Sequence, residues 1–207
     1  MTDRINKIPQ GPTDGNSVYF VSVTRNVNGT PVDIYVPTNY VADMPTYVAT
    51  VPNIALGANK NIASLVNKTG STKTVRILHI YAVPALAAAI TGTQITLEVH
   101  GITGSGSSAG SVITVRNHDT DDGDLTTVAP LVEARNNPTA TPIANWILAS
   151  GVVNNEETAS KESQQSIFKK EGNISALILR ANQGILVKQT AFAGAGNINL
   201  HIVFQVD

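Results

Sequence analysis

From Asn197 to Val206 the chain alternates: Ile198, Leu200, Ile202, Phe204 and Val206 take one set of positions, and Asn197, Asn199, His201 and Gln205 most of the other. A helix has a period of 3.6 and cannot gather these apolar residues on one side. A half-buried antiparallel strand, with a period of two, can. Two more apolar runs precede it, Ile174–Arg180 and Ile185–Ala191, divided by the turn-forming stretches Ala181–Gly184 and Phe192–Gly196. The last third of the chain is therefore expected to form three successive strands joined by short turns, closing a core.

The remainder continues the pattern. Residues 1–16 hold Pro9, Gly11, Pro12, Asp14 and Gly15 with little apolar content, which reads as an extended arm. Ser17–Thr24 and Pro31–Val36 flank Asn28-Gly29, the signature of a β-hairpin. Pro37, Pro45 and Pro52, with Tyr40 and Tyr47 between them, suggest an irregular connection, with a boundary near Thr50. Beyond it, Asn61–Asn67, Lys73–Val83, Gln94–His100, Ser111–Arg116 and Leu125–Ala134 read as strands. Lys73–Val83 is apolar at both odd and even positions, as expected of a central strand covered on each side or of one in a subunit contact. Gly101–Gly110 reads as a flexible loop, Asn117–Asp124 as a charged turn and Asn136–Pro142 as a loop with two prolines. Asn145–Val153, with the single Trp146, suits a strand or a short helix, and Asn154–Ser166 lacks an apolar stripe and reads as an exposed loop. Many short strands divided by Gly, Pro, Asn and Ser predict an all-β fold, a jelly-roll-like antiparallel β-sandwich with an extended N-terminal arm. Residues 1–50 are assigned to the arm and hairpin, and 51–207 to the sandwich.

Charge narrows the function classes. Lys and Arg total 14 against 15 Asp and Glu, so no excess exists to hold nucleic acid or an acidic membrane. Charged residues are only 14% of the chain, below the roughly 25% of ordinary soluble proteins. The polar load rests on Asn, Thr, Ser and Gln, which suits extensive intersubunit contact. Without cysteine there is no disulfide and no thiolate chemistry. The polar N-terminus shows no signal-peptide core, and the longest apolar run, Ala82–Ile90, is too short to span a bilayer, so a soluble chain made in a cytoplasm is expected.

No arrangement of residues commits the chain to catalysis. Gly104, Gly106 and Gly110 follow a strand, but Val112, Ile113 and Val115 come next where a phosphate-binding loop needs a helix. Asp119, Asp121, Asp122 and Asp124 could hold calcium, yet Gly123 and Pro130 break the EF-hand pattern, and a solvated Asx turn is the better reading. His79, His100, His118 and His201 lack the close pairs of a zinc site. Glu156, Glu157 and Glu162 sit in a polar stretch with no apolar pocket to separate their pKa values. Tyr19, Tyr35, Tyr40, Tyr47, Tyr81 and Trp146 are candidates for stacking on sugars, with Tyr40 and Tyr47 the most exposed by context. No catalytic residue, metal ligand or cofactor is assigned, and the chain is not expected to be an enzyme.

The segment Thr46–Val83, with the closing NQG of Asn182–Gly184 and AGAGNINLHIVF of Ala193–Phe204, resembles β-sandwich proteins from the structural-gene clusters of tailed bacteriophages, such as capsid decoration (cement) proteins. The resemblance spans Thr46 to Asp207 and transfers no functional residue. It implies a virion protein that assembles as a homotrimer on the major capsid protein or another virion component, without nucleic acid or membrane. The alternative expectation is a carbohydrate- or receptor-binding module of a phage tail or fibre, using loops Gly101–Gly110 and Asn117–Asp124.

Overall fold

Residues 6–8, 19–27, 30–38, 44–85, 95–105, 107–153, 164–171, 174–190 and 196–207 are described by the computed structural model, the first three segments as backbone only. The chain divides into two units, Met1–Met44 and Pro45–Asp207. The division falls just ahead of a strand that runs through Thr50, where the sequence suggested the boundary.

The first unit is a three-stranded antiparallel sheet in the order β1 (Asn6–Ile8), β2 (Tyr19–Val27), β3 (Thr30–Thr38). Pairing of Val27 with Thr30 leaves two residues between the strands, as a tight hairpin requires. The turn itself, Asn28-Gly29, lies outside the described residues. Register sets Val21 opposite Val36 and Val23 opposite Ile34, so β-branched residues pair across the hairpin. Asn6–Ile8, expected to be part of a free arm, instead pairs with Phe20–Ser22. The other residues of that arm lie outside the description.

The second unit contains β4 (Thr46–Ala55), β5 (Asn61–Asn67), β6 (Val75–Pro84), β7 (Ile95–Thr103), β8 (Ser107–Ser108), β9 (Ser111–Val112), β10 (Val115–Asn117), the helical turn α1 (Leu125–Val128), β11 (Val132–Asn136), β12 (Thr139–Ala140), β13 (Ile147–Val153), β14 (Gln165–Lys169), β15 (Leu177–Leu179), β16 (Gln183–Gln189) and β17 (Asn197–Val206). One sheet has the order β10-β4-β17-β6-β14, with β15 also on β6; the other runs β13-β7-β16-β5-β11-β9. Every pairing is antiparallel, and the inward residues of both sheets merge into one buried core, making a β-sandwich. The principal strands pair in a nested way: β4 with β17, β5 with β16, β6 with β14 and β7 with β13. Such nesting is what results when one long hairpin, with its tip between β7 and β13, is wrapped across two sheets.

That topology corrects the reading of the last third. β15, β16 and β17 are successive strands, but β16 lies in the opposite sheet from the other two, and neither of its neighbours in sequence pairs with it. The chain crosses the core at each turn. The alternation in β17 itself is as expected, with Ile198, Leu200, Ile202, Phe204 and Val206 all at 2% exposure or less. Each such burial contributes about 1.5–3 kcal/mol.

β6 is central, but it is not covered on both faces. Its register with β17 shifts between Val203 and Phe204, which pair with His79 and Ile77 and leave Leu78 as an extra residue. This β-bulge reverses the phase: Val75 and Ile77 point inward before it, and Ile80, Ala82 and Pro84 after it. The apolar residues at odd and even positions are one inward face, displaced by one step.

A second bulge explains why Thr46–Pro52 is a strand despite its proline. The β4–β17 register shifts between Ile198 and Leu200, and Asn53 takes φ of 50° there. β10 pairs with Tyr47, Val48 and Ala49, so Pro52 sits at a bulge beyond the end of β10, where among the described residues its missing N–H costs no ladder bond. Elsewhere, Leu125–Ala134 divides into α1 and β11, and Ser111–Arg116 into β9 and β10 on different sheets. Leu125 is buried as the plug of that crossing. Gln165 and Ser166 open β14, whereas residues 154–163 lie outside the description. Asn145–Val153 resolves as the strand β13. A Cβ on its Gly151 would come within 2.8 Å of Cα of Ile167, so the glycine lets the edges of the two sheets meet at β13 and β14.

The expected loops Gly101–Gly110 and Asn136–Pro142 pair with each other through β8 and β12. Ser64 and Ser107 hydroxyls lie 2.7 Å apart, and the Asn61 amide donates to the carbonyls of Pro138 (3.1 Å) and Ala140 (3.2 Å). Under this ribbon Val66, Ile102 and Leu186 form a second small core, with Ala140 packed against it. The outer side of the β7–β16–β5 sheet is thus covered in part by the chain's own ribbon.

Candidate functional site

The acidic loop is built as an Asx turn. Asp119 accepts the N–H of Asp121 on Oδ1 at 3.0 Å and the N–H of Asp122 on its carbonyl at 3.2 Å. Asp124 then caps α1 through its carbonyl, which accepts from Thr127 and Val128 at 2.9 Å each. Asn117 donates to the Asp122 carbonyl, and the Tyr47 hydroxyl to that of Gly123 at 3.0 Å. The loop's shape thus comes from its own backbone bonds together with the side chains of Asp119, Asn117 and Tyr47. Tyr47, expected to be exposed in a proline-rich loop, is fully buried and stacks on Phe204 with ring centroids 5.8 Å apart. Burial, then the carboxylates of Asp122 and Asp124, push its hydroxyl pKa up.

The other candidates are dispersed. Gly104 donates its N–H to the Asn182 carbonyl at 2.9 Å, and Gly110 has φ of 64° beside Asn136; β9 follows, with no helix to receive a phosphate. Gly106, Glu156, Glu157, Glu162 and Tyr40 lie outside the described residues, as do the side chains of Tyr19 and Tyr35. His100 Nε2 lies 2.9 Å from Glu98 Oε2 on the outer side of β7, and His118 is exposed beside β10. Among the described residues no three His, Asp or Glu side chains converge at ion-holding distances. Trp146, 37% exposed, rests on the backbone of Gly101.

Two features were not anticipated. A cleft of about 380 Å³ opens where the chain crosses between sheets, with buried Ile113, Leu125 and Val132 below Arg116, Asp124 and Glu133. Glu133 is committed there: Lys68 donates to Oε2 at 2.8 Å and Arg135 to Oε1. Burial alone would raise the Glu133 pKa, but these two bonds outweigh it and hold the carboxyl below its ordinary range. With both oxygens engaged, it is poorly placed to act as a base.

The second feature is a row of rings on the outer face of the β4–β17–β6 sheet. The ring centroids of His79 and Tyr81 are 4.7 Å apart, as are those of Tyr81 and His201. Hydroxyls close each end: Thr50 Oγ1 lies 3.0 Å from His201 Nδ1, and Ser166 Oγ 3.2 Å from His79 Nε2. The β6 bulge brings this row about, because it places His79 and Tyr81 outward. Their i, i+2 spacing shows in the sequence, but their side of the sheet does not.

Burial lowers the pKa of both histidines, and at His79 Lys169 lowers it further against an opposing pull from Glu171. A depressed histidine contributes stability that is complete above the unfolded pKa of about 6.5 and is lost as pH falls through the folded value. The unfolding temperature is therefore expected to hold between pH 8 and 7 and to fall below about pH 6.5. Glu133 and Asp207, whose carboxyls are held low, titrate only in stronger acid. A double variant, His79→Gln with His201→Gln, should lose this fall on the acid side; a wild-type curve level down to pH 5 would contradict this origin.

Comparison of the chain with known protein families, with curated proteins and with solved structures finds no match. Among the described residues no helix is long and apolar enough to cross a membrane. Among the described residues the arrangement offers surfaces and paired side chains, with no acid, base and nucleophile brought together.

Proposed function

We propose that this chain is a virion structural protein that decorates or stabilises a phage capsid as a homo-oligomer, through β contacts between subunits. The observation that carries this reading is the nested pairing of eight principal strands across two sheets. We read that order as a jelly roll, an architecture that viral shells share with lectins. Low charge, no cysteine and a Thr46–Asp207 segment that resembles phage decoration proteins support the same reading. The sugar-binding alternative needs free loops, and Gly101–Gly110 is instead pinned to its own sheet through β8.

In this reading the sandwich supplies the body of the subunit, and β1 and β3, the end strands of the first unit's sheet, add to a neighbour's sheet edge. Many copies on one shell then multiply weak contacts into firm attachment. The major capsid protein or another virion protein is the partner, and no enzymatic role is proposed. Light scattering on the full chain at pH 8 is expected to give a trimer, about 65 kDa from a chain of 21.8 kDa. A mass that stays at one chain up to high micromolar concentration would count against the proposal.

A further inference from the structure

We infer that the outer face of the β4–β17–β6 sheet is a self-association surface, on which a second copy of this chain covers the His79–Tyr81–His201 row, and that this contact comes apart in acid. The inference rests on the homo-oligomeric reading above and says where one of the contacts lies.

The two sheets differ in how their outer faces are treated. The β8–β12 ribbon covers part of one and builds a small core beneath it. The other carries two rows that cross β4, β17 and β6 in register: Val48, Val203 and His79, then Thr50, His201 and Tyr81. Neither row holds a carboxylate, lysine or arginine within those three strands. A centre poor in charge and supplied with an aromatic ring is the composition of an interface core.

The flanks favour a second copy as the occupant. Lys169 pairs with Glu171 at the β14 side, and Arg76 with Asp207 at 2.8 Å at the end of β17. Both pairs are closed within their own subunit, so a neighbouring copy of the chain approaches these two flanks with little like-charge repulsion. Size is sufficient as well. Three strands of 10 residues each, about 4.8 Å apart with ~3.4 Å per residue, make a face of about 500 Å². A contact between two copies then hides about 1,000 Å², the lower bound for a specific interface.

Acid acts on the centre of that contact. His79 faces Ser166 and Lys169 of β14, Glu171 just beyond, and Tyr81; His201 faces Thr50 of β4 and Tyr81. Arg116 of β10, opposite Val48, adds positive charge at the rim. Protonation places two cations in the middle of each face, with Glu171 already engaged by Lys169. Covering such charges with a like-charged copy is unfavourable.

The experiment is light scattering on the full chain, with circular dichroism to verify folding. At pH 8, Val203→Arg is expected to lower the mass of the wild-type oligomer, while Ser150→Arg, exposed on the opposite sheet, leaves it unchanged. Thr50→Arg, outward on β4, repeats the test from a second strand should Val203→Arg fail to fold. At pH 5.5 the wild type is expected to dissociate, and the His79→Gln, His201→Gln double variant to stay assembled. A folded Val203→Arg or Thr50→Arg variant at wild-type mass would overturn the surface while leaving the oligomer reading intact. A wild type that is monomeric at pH 8 would overturn the oligomer reading itself. An oligomer unchanged at pH 5.5 would overturn the acid release.

Discussion

Phe204→Ala is expected to destabilise the Pro45–Asp207 unit by about 3–5 kcal/mol, the cost of a large cavity in a packed core. Phe204 is fully buried, and its ring stacks on Tyr47 across the β4–β17 pair. Tyr47 in turn holds the acidic loop through Gly123. Removing the phenyl ring therefore exposes one side of Tyr47 to a void and loosens the loop's anchor. For a unit of this size the unfolding temperature should drop by roughly 10 °C. Val203→Ala, one residue away and pointing outward, should cost well under half as much. Urea denaturation with a common slope for both variants checks the comparison. A Phe204→Ala loss below about 1 kcal/mol would mean that β17 does not bury this face.

Gly101→Val should be the next most damaging exchange, and its effect is visible at one chromophore. A Cβ at Gly101 would lie 2.3 Å from Cε3 and 2.4 Å from Cδ2 of Trp146, and the Trp146 carbonyl accepts the Gly101 N–H at 2.9 Å. Indole and side chain cannot occupy that space together, so the indole must leave the β7 backbone. Overpacking of this kind costs about 1–3 kcal/mol. Trp146 is the only tryptophan, so emission excited at 295 nm reports this site alone. The expected outcome is a red-shifted spectrum and a lower urea midpoint. Wild-type emission together with a wild-type midpoint would contradict the packing of Trp146 on Gly101.

How far the fold was legible depends on which physical signal carried each element. β5 and β17 match their predicted limits, because an uninterrupted alternation or apolar run between turn residues leaves little freedom. The β2–β3 hairpin was legible through Asn28-Gly29. Sheet membership was not. Alternation says that β16 and β17 each bury one face, and says nothing about which sheet each joins, so a crossing of the core reads as a simple meander. Bulges hid two further features. In β6 one inserted residue made a single inward face look like two, and in β4 a bulge accommodated a proline that read as a strand breaker. Leu125 begins a helical turn because burial over the crossing segment overrides its strand-like surroundings.

The candidate site was less legible, since it is made by register rather than by motif. His201 joins Tyr81 through the pairing of β17 with β6, residues 120 positions apart in sequence. Tyr47 misled for the opposite reason: prolines on both sides suggested exposure, while its alternation with Ala49 and Val51 marks the inward face of β4. The Asx turn of the acidic loop is legible in the sequence, because its defining bond, from the N–H of Asp121 to Asp119, is made between residues two apart.

The proposed role is a place in a phage particle, and the most direct measurement is quantitative mass spectrometry of salt-washed particles purified from lysates of the cells that make this chain. The expected result is the chain in those particles at a fixed ratio to the major capsid protein, in copy numbers that are multiples of three. Its absence from intact particles, with the same chain abundant in the lysate, would contradict the account.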